Sequence, residues 1–397
     1  MFRVAVKMLI GDRVKYAGLL FGVAFTSFLV TFAGSYFAGF MTQGFGLITE
    51  NPGTDVWVMD PAVTSIAPTT NMPSSALGRV RSVEGVATAV PLSVGTANVR
   101  FPNGRFQSFQ VIGVDDATLA GLPPLRNGVP PIALRTPDAV VVASGGTSGK
   151  LQTPVEKADQ WYDGPPRLDV PTRTLAAGDD LLVNDRLVTV VGRARAQPRY
   201  PPRPLLYTTY SNALRILLPE RRHLTFVLVT AASDIAPRAL AKRIEDRTGY
   251  RARASDDFKA DTVWWILANS EDVGDIETML AIAVLVGFGV TGVLLYMFTN
   301  ENLRQYAILK AMGATPRLLL GMIYAQAELC TVIGTGLGLG VCAVAGQFLS
   351  GSDYPFRMMW FTPVLGVLAV LVISIVCATI SARPALRLEP GLVFAGR

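Results

Sequence analysis

The chain has 397 residues, of which half are hydrophobic and only 17% charged, against roughly 25% charged in an average soluble domain. The apolar residues are gathered into long runs, which points to membrane spans rather than to one large core. The three cysteines all fall inside those runs, which excludes a disulfide framework, and the single His223 excludes any site that needs paired histidines.

Residues 1–16, MFRVAVKMLIGDRVKY, combine Arg3, Lys7, Arg13 and Lys15 with Phe2, Val6, Leu9 and Ile10 at helical spacing. That pattern predicts a short amphipathic helix on the inner membrane surface. Residues 17–40 carry no charge. A bilayer needs about 20 residues, and a secretory signal has an apolar region of only about 7–15, so this run reads as an uncleaved first span.

A polar region, 41–275, follows, with 25 Lys and Arg against 24 Asp and Glu. It predicts an α+β domain. DVWVM (55–59) reads as a strand, and SSALGRVRSV (74–83) as a short helix opened by a serine cap. Residues 94–101 and 106–114 alternate around PNG at 102–104, and LLVND-RLVTVVG (181–192) repeats the pattern, so two hairpins are expected. Residues 120–175 are rich in Pro and Gly and read as irregular. TFVLVTA (225–231) is a strand, followed by a helix from Asp234 to Thr248 that stops at Gly249. The stretch 255–277 could continue as one long helix into the next span.

Three further spans are expected, at 276–299, 318–348 and 361–382, separated by segments 300–317 and 349–360 and followed by a tail at 383–397. Lys and Arg crowd one side: Arg3, Lys7, Arg13 and Lys15, then Arg304, Lys310 and Arg317, then Arg383, Arg387 and Arg397. The loop 349–360 holds only Arg357. The positive side is cytoplasmic. Both termini are thus expected in the cytoplasm and the polar domain outside it. The net charge of +6 is then a topology signal, not the clustered face that binds nucleic acid. Trp264, Trp265, Tyr354 and Trp360 sit at expected span edges, as an interfacial aromatic belt would, although Trp264 also suits the core of the external domain.

Several motifs invite a chemical reading. SGGTSGK (144–150) follows a plausible strand, DAVVVA, but a phosphate loop needs Gly where Ser144 stands and Ser or Thr where Leu151 stands. It reads as a flexible glycine loop, and any ATPase must be a separate chain. The acid pairs Asp115/Asp116 and Asp256/Asp257 read as turns and caps rather than catalytic dyads. No catalytic triad or metal-ligand set emerges, so the chain is not expected to be an enzyme or to bind a cofactor itself. Glu328 lies inside the third span, where a carboxylate is expensive unless protonated, paired or wet. It is either a packing or proton-handling group between helices or a structural hydrogen-bonding group near the interface. GTGLGLG (334–340) contains two small-residue registers, Gly334/Gly338 and Gly336/Gly340. These predict close helix packing, either on the second or fourth span or on another copy of the chain.

The segment ENLRQYAILKAMGATPR (301–317) is charged and helix-prone between two apolar runs. Glu301, Leu303, Arg304, Ala307, Leu309, Lys310 and Met312 favour a helix, which Gly313 and Pro316 stop. Leu303, Ala307 and Lys310 are expected on one side, and Tyr306, Leu309 and Met312 on an apolar face. A helix this short is marginal in water alone, so lipid headgroups or a protein groove should cover it.

Its continuation, ENLRQYAILKAMGATPRLLLGMIYAQAE, resembles the cytoplasmic signature of the MacB/FtsX superfamily of ABC transporter permeases. The ending ARPALRLEPGLVF is similar to that family's ending, and LIGDRVKYAGLLFGVAFTSFLVTF resembles the DevC-like branch. The resemblance implies an integral membrane α-helical protein with four transmembrane helices, one plus three, and a large α+β periplasmic domain between the first and second. It implies a bacterial inner-membrane location and an exporter in which two permease copies bind two cytoplasmic ATPase subunits. Glu301 to Gly313 would be the coupling helix, ATP and magnesium would bind on the ATPase, and the motion would reach the periplasmic domain by mechanotransmission. A membrane-fusion adaptor and an outer-membrane duct would complete the assembly. The chain departs from the signature at Gln305, where relatives often carry an acid, which alters the charge offered to the ATPase. Glu328 falls where relatives commonly carry an acid. Other readings stay open: an FtsX-like subunit that activates periplasmic cell-wall hydrolases, a Lol-type lipoprotein-releasing permease, and a membrane-anchored sensor with no ATPase.

Overall fold

The computed structural model describes residues 7–387 except 10, 12, 68–69, 127, 148, 162–163, 219–223 and 350–351. Much of the amphipathic helix expected at 1–16, most of the tail at 383–397 and His223 therefore lie outside the described residues. The chain divides into two units: Met41–Ser270, and the described residues up to Phe40 together with those from Glu271 onward.

Helix α1 (Arg13–Gly44) contains the first apolar run, and a single turn, α2 (Gly46–Thr49), follows it. The domain then runs through β1 (Val56–Met59), α3 (Ser75–Arg81), β2 (Val86–Arg100), β3 (Phe106–Val114), β4 (Ala139–Ala143), β5 (Gln152–Pro154) and β6 (Thr172–Thr174). Next come β7 (Asp180–Val183), β8 (Arg186–Arg193), β9 (Leu205–Thr209), α4 (Tyr210–Ile216), β10 (Phe226–Ala231), α5 (Pro237–Thr248), β11 (Arg251–Ala254) and α6 (Ser255–Asn269).

The main sheet has the order β11-β1-β10-β2-β3-β9-β4-β8-β7, and β7 also pairs with β2. That last pairing closes β2-β3-β9-β4-β8-β7 into a six-stranded ring, which leaves those strands no free edge. The remaining strands, β11, β1 and β10, extend from β2 as an antiparallel sheet. Strand β2 belongs to both: Val86–Leu92 pair with β10, and Ser93–Arg100 pair with β3. At 15 residues it is about 50 Å long.

Side-chain alternation sorts the core. Val140 and Val142 on β4 join Val99, Val111, Val183, Val190 and Leu206 in a cluster drawn from all six ring strands. Their neighbours Val141 and Ala143 point the other way, into a second cluster with Leu205, Tyr207, Trp57, Phe226 and Phe258. On β1 the same period of two sends Trp57 to that cluster and Val56 and Val58 to a third, under α3 and α5. Trp57 meets Phe226 edge-on at 5.4 Å and Phe258 at 5.8 Å between ring centroids, contacts worth about 0.5–1.5 kcal/mol each beyond burial.

Some expectations need correction. The first hairpin strand begins at Val86, not 94, because its leading half is recruited by β10. Ser74 makes no side-chain cap on α3. Trp264 is 72% exposed, so it is no core aromatic of the domain, a place taken by Trp57. The single helix expected over 255–277 is interrupted: Ser270 adopts extended backbone (φ −94°, ψ 125°) between α6 and α7 (Glu271–Glu301). Asn269 and Ser270 are weak helix formers, and Glu271 and Asp272 favour a fresh N-terminus.

The second unit contains α7, a short helix α8 (Leu303–Ala311), α9 (Pro316–Leu349) and α10 (Phe361–Arg387). Among the described residues, α1, α7, α9 and α10 are the four helices long and apolar enough to cross a membrane. Small hydroxyls join them. The Thr26 hydroxyl lies 3.1 Å from that of Thr291, and Thr331 donates to Ser374 at 2.6 Å. Such bonds tie helices together where apolar burial gives no drive for association in lipid.

Candidate functional site

The segment 301–317 breaks two long helices with local signals only. Helix α7 ends at Glu301, and the side-chain amide of Asn302 turns back to donate to the Phe298 carbonyl at 2.7 Å. Helix α8 then runs nine residues. Gly313 follows in the left-handed region (φ 97°), with its own N–H bonded to Lys310 O and that of Ala314 to Leu309 O. Those bonds satisfy carbonyls that the helix end leaves unpaired, in a conformation that favours glycine. Thr315 accepts the Leu318 N–H, and Pro316 opens α9, where a missing N–H does no harm.

Helix α8 has two distinct faces. Tyr306 and Ala307 are completely buried, Tyr306 is packed with Leu319, Ile323, Ala382 and Ala385, and Leu303 and Leu309 lie half-buried against the same cluster. The Tyr306 hydroxyl donates to Gln326 Oε1 at 2.9 Å. Burial pushes its phenol up to about 12, so it remains a neutral donor. Lys310 donates to the Leu386 carbonyl at 3.1 Å, near the C-terminus of α10, where a cation is favoured. The opposite face is turned to the outside. Glu301, Arg304, Gln305, Ile308, Ala311 and Met312 are exposed, Met312 by 72%. Glu301 forms an ion pair with Lys15 of α1 at 2.5 Å, open to solvent and so worth little stability.

This division corrects the apolar face expected from Tyr306, Leu309 and Met312. Six residues turn an α-helix by roughly 600°, which leaves Met312 about 120° away from Tyr306. Tyr306 and Leu309 face inward, and Met312 faces out beside Ile308. Ile308 is the residue the sequence reading missed. Its spacing from Met312, one helical turn, was the available signal.

The two glycine registers also separate. A side chain at Gly338 would meet Ser27 Cβ at 2.6 Å and the Phe28 nitrogen at 3.0 Å, and one at Gly334 would meet Val23 at 2.8 Å. The first register therefore packs on α1, not on the second or fourth span. Gly336 and Gly340, roughly 200° around the helix, have nothing within 4 Å. Glu328 is exposed on the outer side of α9, away from the helices of its own bundle. It lies about 18 Å along the helix from Pro316.

The remaining motifs are structural. Gly145 and Gly146, both at positive φ, shape the turn after β4. Asp115 accepts from the Thr118 N–H at 2.8 Å, Asp116 from the Ser211 hydroxyl at 2.8 Å, and Asp257 pairs with Arg238. Among the described residues no group of three or more His, Cys, Asp or Glu could hold a metal ion.

Comparison with known proteins gives two family matches. The family described as MacB-like periplasmic core domain matches residues 17–247, more than half of the chain. The family described as FtsX-like permease C-terminal matches residues 277–390. No curated protein matches the sequence. Among solved structures, the extracellular domain of the noncanonic ABC-type transporter YknZ from Gram-positive bacteria is 13% identical, with a TM-score of 0.33, over 50% of this chain and 99% of that one. The periplasmic region of MacB from Actinobacillus actinomycetemcomitans is 15% identical, with a TM-score of 0.35, over 53% of this chain and 92% of that one.

Proposed function

The chain belongs to the MacB/FtsX superfamily of ABC transporter permeases, a multi-pass membrane protein family whose subunits are not themselves catalytic, and from that premise we propose that it is the permease of a MacB/DevC-type exporter. In this reading a separate ATPase binds ATP and magnesium in the cytoplasm and docks on the outward face of α8. Its motion is carried through the spans to the domain outside the inner membrane, which acts on substrate together with a membrane-fusion adaptor and an outer-membrane duct.

The observation that carries the reading is the two-faced helix α8. Its inner face is tied to α9 by Tyr306 and Gln326 and to α10 by Lys310. Its outer face offers two apolar side chains, Ile308 and Met312, flanked by Glu301, Arg304 and Gln305. A docking partner pressing on that face would push on α9 and α10 at once, as force transmission requires. The exposed face of Gly336 and Gly340 supports a second copy of the permease as a further partner, because small residues let two helices approach closely.

Purification of the full chain from its native membrane tests the proposal. Wild type should carry an ABC ATPase with it, and Ile308→Asp combined with Met312→Asp should lose that ATPase while keeping its thermal stability. An adaptor in the same eluate favours export, and a cell-wall hydrolase favours the signalling role of FtsX-like proteins. Failure of any ATPase to copurify, even with nucleotide trapped by vanadate, would return the chain to the anchored-sensor reading.

A further inference from the structure

The connection from β8 to β9, ARAQPRYPPRP (194–204), holds four prolines and is seated on the glycine turn after β4. The Arg199 N–H donates to Gly145 O at 3.1 Å, and a side chain at Gly146 would lie 3.3 Å from Pro198. The motif that looked like a phosphate loop is thus a cradle for this connection. From that seat the connection reaches two places that are far apart in sequence. Arg199 pairs with Glu50, just after α2, and the Gln197 N–H donates to the other carboxylate oxygen. Tyr207 on β9 donates to Glu50 at 2.8 Å and accepts from Arg199 at 3.2 Å. Both charged side chains are 6% exposed. Burial, reinforced by Glu50, raises the Tyr207 phenol far above its ordinary value and outweighs the opposing effect of Arg199. The next residue, Tyr200, shares a hydrogen bond of 2.8 Å with Ser270, the extended residue between α6 and α7.

Glu50 stands where the chain has just left the first span, and Ser270 where it is about to enter the second. Adjacent residues of one proline-stiffened connection therefore hold both. We propose that the 194–204 connection is a clamp that ties the two junctions to a single point on the six-stranded ring, so that they move together. Four prolines remove backbone freedom, and the buried charge pair resists slipping because separating it would strand a charge away from water. The value of the clamp for function rests on the transmission reading above: a motion arriving through either span would be delivered to β8 and β9 rather than absorbed in a slack linker.

Hydrogen exchange on the full chain in lipid nanodiscs tests the clamp without any partner. Tyr200→Phe removes one oxygen, which touches Ser270 and not Glu50. If the junctions are clamped together, exchange should rise about fivefold, the weight of one hydrogen bond, at Ser270 and also at the amides of residues 48–51, with β8 and β9 unchanged. Arg199→Met should raise both sites further. A rise confined to Ser270 in Tyr200→Phe would overturn the proposal. So would a general rise across β8 and β9, which would make the connection part of the ring's own stability and not a clamp. If the paired response is seen but no ATPase ever copurifies, the clamp stands and only the transporter reading fails.

Discussion

Substitution of alanine for glycine along α9 separates helix packing from helix propensity. Gly334, Gly336, Gly338 and Gly340 share one helix and one chemistry. Each alanine gains about the same propensity, up to roughly 1 kcal/mol. At Gly338 the new methyl would lie 2.6 Å from Ser27 Cβ and 3.0 Å from the Phe28 nitrogen, and it would also press on the Ala24 carbonyl. Two of those neighbours are backbone of α1 and cannot rotate aside, so the helices must part, an overpacking penalty of about 1–3 kcal/mol. At Gly336 and Gly340 nothing lies within 4 Å, and the propensity gain stands alone. Gly334→Ala should fall between, because its nearest neighbour is the Val23 side chain. Thermal unfolding of each full-length variant in the same detergent, followed by tryptophan fluorescence, gives the order. Gly338→Ala should melt lowest and Gly336→Ala at or above wild type. Equal melting of Gly338→Ala and Gly336→Ala would refute the packing of α9 on α1.

Glu50→Gln leaves Arg199 buried beside a neutral partner and should destabilise the full chain by about 3–5 kcal/mol, whereas Glu50→Leu with Arg199→Met should recover most of that loss in the same melt. Tyr306 has a folded-state pKa of about 12, above its ordinary value of 10.0, so its contribution to stability is whole below pH 10 and lost as pH rises through 12. Alkaline unfolding curves should show that part of the decline missing from Tyr306→Phe, which should itself cost about 1 kcal/mol at pH 7. In a background lacking Cys330, Cys342 and Cys377, Gly340→Cys should form a disulfide-linked pair of chains in native membranes, and Gly338→Cys, covered by α1, should not.

The four spans, the domain between the first two and most of its strands are legible because each rests on a short-range signal. Unbroken apolar runs of span length mark the spans, short apolar runs mark β1 and β10, and the hairpin pattern marks β3 and β8. Gly249 ends α5 in the left-handed conformation, where the sequence places the stop. What escapes is what depends on distant partners. The leading half of β2, VATAVPL, with its alanines and a proline, shows no strand alternation and stays undecided until β10 pairs with it. The closure of the ring by β7 on β2 depends on two register pairs, Val99 with Val183 and Arg100 with Leu182, which no local pattern announces. The candidate site was legible as a helix between two stops, but not its orientation. Tyr306 reads as an exposed apolar residue until Gln326, twenty positions on, accepts its hydroxyl. Likewise, Arg199 and Tyr200 are two polar residues in a proline-rich loop until Glu50 and Ser270 stand beside them.

The central claim is that a partner ATPase rests on the outward face of α8. A photo-crosslinking amino acid placed in turn at Ile308, Met312 and Ala307, with irradiation of intact native membranes, tests it most directly. Adducts to an ABC ATPase from positions 308 and 312, and none from 307, are the expected result. ATPase adducts absent from 308 and 312, or equally strong from the buried position 307, would contradict it.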